Sequence, residues 1–508
     1  MAVQERPIQL SRREYRDKVR GCWLGKNIGG TLGGPFEGHK YVNGLTFYDP
    51  VPREPQPNDD LDLQLVWLKM LEDTGALEPS LTDFVRYWLD YLRAYPDSEY
   101  GVCLMNLERG LRPPISGCFE NGFADNMGAP IRSEIWACIA PGDPQLVAVL
   151  ACRDALLDHA GGEGVYGEMF WAAVQSAAFV LSDPLTLIRI GLSMIPLTSY
   201  VAQAIREVLW CRDRGMNWAQ TQHHIANLFS NPATGWRGMG AAALAAPNHA
   251  FTVLGWLYGK DFEDRLLKAV NCGYDTDCTG ATLGALLGIL EGADALPARW
   301  VKPVGDRIIL YERTRRFNHP KTVAELTQRT AAVMEQVVAG RSDTVCLGNK
   351  TVVPDNLQDL LWRNQKARAA LSLYDPLSAV ETDRDLEIVF HYDREPVLYP
   401  KVEMIVRISL RRDGQPVEGA AMQLTGPKGW KVVEHGPGVF GVRAERMPAN
   451  GWVRVKAKLD GRTYGARFVL LSPDRVSGYQ WGVERCPVCH ARKGACLCRR
   501  PPSRKTKA

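Results

Sequence analysis

No stretch of this 508-residue chain is both long and uninterruptedly apolar. The best candidate, Gly238 to Gly259, has the length to cross a bilayer but is broken by Pro247-Asn248-His249 and diluted with Ala and Gly, so a transmembrane helix is rejected. The first twenty residues carry Arg and Glu throughout and offer no apolar run, which speaks against a secretory signal and for a cytoplasmic protein. A disulfide framework is also missing. Of the 13 cysteines, Cys22, Cys103, Cys118, Cys138, Cys152, Cys211, Cys272, Cys278 and Cys346 stand singly in apolar segments, as reduced core cysteines do. Acidic residues are absent from the C-terminal end, where the residues from Arg485 onward sum to +8, so that a chain of net charge +4 has a body at −4. Such a body offers no uniform field to draw phosphates. Nucleic-acid contact would run through the tail alone, and without a recognition helix or aromatic platform the tail reads better as a solubilising or partner-binding end.

What is present is ordinary globular composition, 45% apolar and 23% charged, in a chain long enough for two or three folded units. From Ser11 to about Gly340 apolar residues recur at three and four. Ser11 and Glu14 read as a capping box for a helix Arg12 to Gly25, and further helices are expected at Leu61 to Glu72, Tyr166 to Leu181, Asp277 to Leu290 and Val323 to Val338. Residues 1–341 are therefore read as one all-α domain. Residues 342–375 are expected to be a linker with a short helix. Six short alternating runs within 376–477, punctuated by turns such as Asp460-Gly461, suggest an antiparallel β-sandwich in an accessory role. Residues 478–508 form a basic Cys-rich tail. There Cys486-x2-Cys489-x6-Cys496-x-Cys498 has spacing suited to a closed structural Zn²⁺ site, against the alternative of an untethered reduced tail.

The chemistry gathers at two acidic clusters, each opening a helix more than two hundred residues from the other: Asn58-Asp59-Asp60 and Asp275-Thr276-Asp277-Cys278-Thr279. One Asp at a helix start is usually a cap. Adjacent carboxylates repel unless a cation offsets them, so four from two helix starts point to an oxygen-rich site for one or two Mg²⁺ or Mn²⁺ ions. Gly280, Gly284 and Gly288, four apart, give the second helix a close-packing face.

The segments GYDTDCTGATLGALLG, NDD, GCWLGKNIGGTLGGPFEG and NMGAPIR, with His159 and GVYGEMF, together resemble the ADP-ribosylglycohydrolase family over about residues 12–340. That resemblance implies an all-α fold, a divalent-metal centre in a cleft, and hydrolysis at C1″ of ADP-ribose attached to a protein, nucleic-acid or small-molecule acceptor. It implies metal ligation by Asn58, Asp59, Asp60, Asp275, Asp277 and Thr279, with Asp59, Asp60 and Asp277 serving catalysis. Glu37 aligns with an acidic gate or acid/base residue, the alternative being a solvated loop glutamate. Backbone amides around Gly33, Gly34, Asn126 and Gly128 would approach a diphosphate, while His159 and Tyr166 would line the ligand cleft or else serve structure alone. Asn58 and Cys278 depart from the family's usual Thr ligands, which leaves open the number of metals and a smaller riboside or other glycoside as substrate. A non-catalytic binding or structural protein is the remaining alternative.

Overall fold

The computed structural model of the chain describes residues 7–95, 98–230 and 242–476. Cys486, Cys489, Cys496 and Cys498, with the basic tail, lie outside the described residues, as does the beginning of the apolar stretch Gly238 to Gly259. Among the described residues no helix is long and apolar enough to cross a membrane. The rest of that stretch forms the helix Ala245–Tyr258, in which Pro247 falls in the first turn, where its missing N–H costs nothing.

A large helical part comes first and an antiparallel sheet region follows. The helices share one core in which Trp23, Trp67, Trp136 and Trp171 are fully buried. The expected capping box at the first helix is only half formed. Ser11 Oγ accepts the amide of Glu14, but the Glu14 carboxylate takes the hydroxyl of Thr351. This helix also runs eight residues beyond the expected end, from Arg12 to Gly33. Local propensity would end it among the glycines, and a tertiary contact described below carries it through.

β1 (Ile8–Ser11) pairs in parallel with β2 (Val345–Gly348), so the two ends of the helical part are laced together. Residues 342–375 hold β2 and the helices Leu357–Leu361 and Gln365–Leu373, and Leu360, Leu361, Ala367 and Ala370 are buried in the helical core. Nine strands follow: β3 (Ser378–Asp383), β4 (Leu386–Tyr392), β5 (Met404–Arg412), β6 (Gln415–Val417), β7 (Ala421–Thr425), β8 (Trp430–Gly436), β9 (Val439–Ala444), β10 (Gly451–Leu459) and β11 (Arg462–Leu470). One sheet runs β3-β4-β5-β9-β8, with β6 paired to β5, and the other runs β11-β10-β7, all antiparallel. Alternate residues of β10, Val453, Val455 and Ala457, turn inward, as a half-buried strand requires. Phe390 of one sheet stacks on Phe468 of the other at 4.8 Å.

The sheet region is docked on the helices. Leu111, Ile115 and Phe119 enter its core, Val380 N–H donates to Pro113 O at 2.8 Å, and the Trp452 ring lies against Gly110. All nine cysteines within the described residues are free thiols.

Candidate active site

The first helix and the helix Thr276–Glu291 lie antiparallel with their backbones in contact. An ideal Cβ on Gly21, Gly25 or Gly29 would sit 2.2, 1.9 and 1.9 Å from the carbonyl oxygens of Gly288, Gly284 and Gly280 respectively. One on Gly33 would sit 2.1 Å from Thr276 O and 2.4 Å from Asp277 N. Only glycine fits such an approach. The close-packing face read from Gly280, Gly284 and Gly288 therefore has a glycine-lined partner of the same period, and this contact fixes Asp277 against the first helix. Gly33 is consumed by helix packing and is not an open cradle for a diphosphate. A Cβ on Gly34 would meet Gln56 Oε1 at 2.6 Å, so it too faces the protein.

None of the four motif aspartates is tied up as a helix cap. Asn58 caps the helix Asp59–Thr74, its Oδ1 accepting Asp60 N–H at 2.8 Å. Asp275 occupies the cap position of the Thr276–Glu291 helix, yet its side chain makes no capping bond, and Asp275 Oδ1 and Asp277 Oδ1 are buried without a hydrogen-bond partner. Asp59, Asp275 and Asp277 meet in a cleft of about 780 Å³, open mouth included, lined by Glu37, Glu99, Tyr100, Asn126, Gly128, Cys278, Tyr311 and Arg313, among others, whereas Asp60 lies behind it and does not line it.

A turn brings Glu37 there. Gly273 and Tyr274 both have positive φ (76° and 71°), and Tyr274 exchanges backbone bonds with the loop after the first helix, its N–H donating to His39 O and its C=O accepting from Gly38 N–H. A Cβ on Gly273 would lie 2.3 Å from Tyr41 O, so the turn cannot be built from another residue without moving this loop. Glu37, Asp275 and Asp277 thus place carboxylate oxygens within 4.8 Å of one another, as do Asp60 and Asp277 with the Cys278 thiol.

The electrostatics record the crowding. Glu37 is pushed up to about 8, first by the charge of Asp277 and then by burial. Asp59 is pushed up to about 6, by burial and then by Asp277. Burial raises Asp275, helped by Asp277 and Glu37, and it raises Asp60 against the pull of Lys26. A cluster of hard oxygen donors that repel one another, with buried lone pairs left over, fits a divalent cation.

Several expected residues lie elsewhere. Thr279 is fully buried and donates its hydroxyl to Thr276 O. Two residues past Asp277 a helix has turned by about 200°, so Thr279 points away from the cleft and the Cys278 thiol takes the position beside Asp277. Asn58 turns its amide N–H toward Asp277 Oδ2 at 3.3 Å, because its oxygen is used in the cap. His159 is fully buried, with Nδ1 2.9 Å from Asp158 Oδ1 and Nε2 3.7 Å from Glu99 Oε1, and it lines no part of the cleft. Burial lowers its basicity, but the two carboxylates prevail and raise it to about 9. Tyr166 packs against the helical core and does not line the cleft.

Asn126 and Gly128 do line it, and they are held by a residue sequence reading missed. Glu99 accepts Gly128 N–H and Asn126 Nδ2–H, each at 3.1 Å. Arg132, in the quoted NMGAPIR segment, anchors the same loop from beneath. It donates to Gly128 O at 2.9 Å and to both oxygens of Asp158 at 2.8 and 3.0 Å. Asn248 was also missed; its Oδ1 accepts Asp275 N–H at 3.1 Å. So was Lys26, whose ammonium lies 3.0 Å from Glu134 Oε2 and 3.7 Å from Asp60 Oδ2 at 1% exposure. Lys26 carried a signal, being the one charged residue in Gly21 to Phe36, whereas Glu99 and Asn248 carried none.

The sequence model of the ADP-ribosylglycohydrolase family matches residues 11–336. An uncharacterized protein of Archaeoglobus fulgidus is 28% identical over 315 residues, covering 58% of this chain and 94% of the relative. A solved ADP-ribosylglycohydrolase-related protein complex is 19% identical with a TM-score of 0.42, covering 64% of this chain and 99% of that one. With the family's sequence model spanning well over half of its length, the chain belongs to the ADP-ribosylglycohydrolase family.

Proposed function

We propose that the chain is a divalent-metal-dependent glycohydrolase that cleaves the C1″ glycosidic bond of ADP-ribose attached to an acceptor. The observation that carries this reading is the convergence of Glu37, Asp59, Asp275 and Asp277 on one cleft, with buried carboxylate oxygens lacking partners. Mg²⁺ or Mn²⁺ held by these oxygens would supply positive charge for the ribose hydroxyls and for the attacking water. Asp59 and Asp277, from two helix starts, orient water and stabilise oxocarbenium character developing at C1″. Glu37, at the exposed rim, can take or give the proton exchanged with solvent. Arg313, over the Tyr311 ring at 5.4 Å in the same cleft, brings a guanidinium suited to a diphosphate.

The test is release of ADP-ribose from peptides mono-ADP-ribosylated on Arg or Ser, with Mg²⁺, with Mn²⁺ and with EDTA, alongside Asp277→Asn. Release that needs metal and disappears in the variant is expected, and the peptide cleaved names the linkage. If neither peptide is cleaved but free ADP-ribose binds only with metal, the acceptor is different or the protein is a reader. A protein that does not bind ADP-ribose at all loses this assignment in favour of a smaller riboside.

A further inference from the structure

The two groups of converging ligand atoms share Asp277 and differ in what surrounds them. Glu37, Asp275 and Asp277 present only carboxylate oxygens. Asp275 and Asp277, at 4% and 7% exposure, each keep one buried oxygen without a hydrogen-bond partner. In the group Asp60, Asp277 and Cys278, Asp60 Oδ2 is likewise buried without a hydrogen-bond partner, but a fixed ammonium already stands beside it. Asp60 Oδ1 receives the Cys278 thiol at 3.6 Å, Asp60 Oδ2 faces the Lys26 ammonium at 3.7 Å, and Asp277 Oδ2 receives the Asn58 amide at 3.3 Å. Nor can Lys26 swing away, because its ammonium also donates to Ile131 O and contacts Glu134 Oε2, both at 3.0 Å, and it is enclosed. Asn58 is equally fixed, since its oxygen caps the following helix and its amide packs against Gly30, where a Cβ would come within 3.0 Å of Nδ2.

A cation in the second group would meet an ammonium, an amide N–H and a thiol, the last a soft donor poorly matched to Mg²⁺. We infer that the chain holds a single hard divalent cation, at Glu37, Asp275 and Asp277, and that the Lys26 ammonium takes the place of a second ion beside Asp60. This rests on the metal-dependent reading above. Lys26 is then a positioning residue: it neutralises Asp60 from behind and holds it without itself facing the substrate.

The experiment is Mn²⁺ binding to the full-length chain stripped with EDTA, measured by equilibrium dialysis with elemental analysis and by electron paramagnetic resonance. Mn²⁺ is chosen because the cysteines at 486, 489, 496 and 498 favour softer metals. One Mn²⁺ per chain is expected, with the hyperfine pattern of a magnetically isolated ion. Asp275→Asn should weaken binding at least tenfold, while Asp60→Asn should still bind one ion. Two ions per chain with an exchange-coupled spectrum would overturn the single-cation inference and leave the glycohydrolase reading standing. A single ion lost in Asp60→Asn and kept in Asp275→Asn would also overturn it, by placing the ion in the second group. No binding at all would overturn both.

Discussion

Replacing Gly25 with Ala asks whether the cleft is held by backbone contact between two helices. The new Cβ would lie 1.9 Å from the carbonyl oxygen of Gly284 and 2.5 Å from its carbon. A carbon normally stays about 3.3 Å or more from such an oxygen. The obstacle is backbone, so no side chain can swing aside, and the helices must part by about 1 Å or more to restore that contact distance. Overpacking of this kind costs about 1–3 kcal/mol, occasionally more. Exchanging glycine for alanine within a helix returns about 0.5–1 kcal/mol. The net loss, up to about 2.5 kcal/mol, lowers Tm by up to about 10 °C, at the roughly 2–4 °C per kcal/mol of units of about 150–250 residues, and by less in a larger unit. The displacement also shifts Asp275 and Asp277 relative to Glu37, which follows the first helix, so Mn²⁺ affinity should fall together with Tm. Gly44→Ala is the control, because nothing lies within 4 Å of its Cβ. Thermal melting and Mn²⁺ titration of the two variants decide the matter. If Gly25→Ala melts with the parent and binds Mn²⁺ as tightly, the helices are not held in the way described.

Two further outcomes are expected. Arg132→Met removes the guanidinium that bridges Asp154 and Asp158 and supports Gly128, leaving buried carboxylates uncompensated. A loss of about 3–5 kcal/mol in urea denaturation should follow, and one below about 1 kcal/mol would count against the anchoring role. Glu163 is pushed up from the ordinary 4.5 to about 7 by burial, against the pull of the backbone N–H groups of Val201 and Tyr200. The folded chain holds this proton more tightly than the unfolded one, so its contribution is fully present below about pH 4.5 and is lost as pH rises to about 7. Glu163→Gln can still accept the Val201 N–H, which Glu163 Oε2 accepts at 2.9 Å. It should therefore be more stable than the parent at pH 8 by up to about 3 kcal/mol, with the advantage shrinking to nothing near pH 4. Equal pH dependence of the two proteins would show that Glu163 is not the group responsible.

The sequence by itself determined what covalent geometry fixes locally. A period of four put Gly280, Gly284 and Gly288 on one face, alternation placed Val453, Val455 and Ala457 on one side of β10, and two Asp-rich helix starts marked a candidate cation site. The helical turn per residue even held the reason Thr279 faces away from Asp277 and cannot stand in for the ligand that the motif's usual pattern puts at position 278. Only the tertiary structure decided which surfaces those local patterns meet. The first helix runs on to Gly33 because its glycines lie against another helix some 250 residues away in sequence, a contact that outweighs glycine's poor helix propensity. Lys26, Glu99 and Asn248 acquired their roles the same way, from carboxylates and amides supplied by distant segments. The free energy of burying a charge or closing a backbone contact depends on which partner packing delivers, and spacing along the chain does not encode that partner.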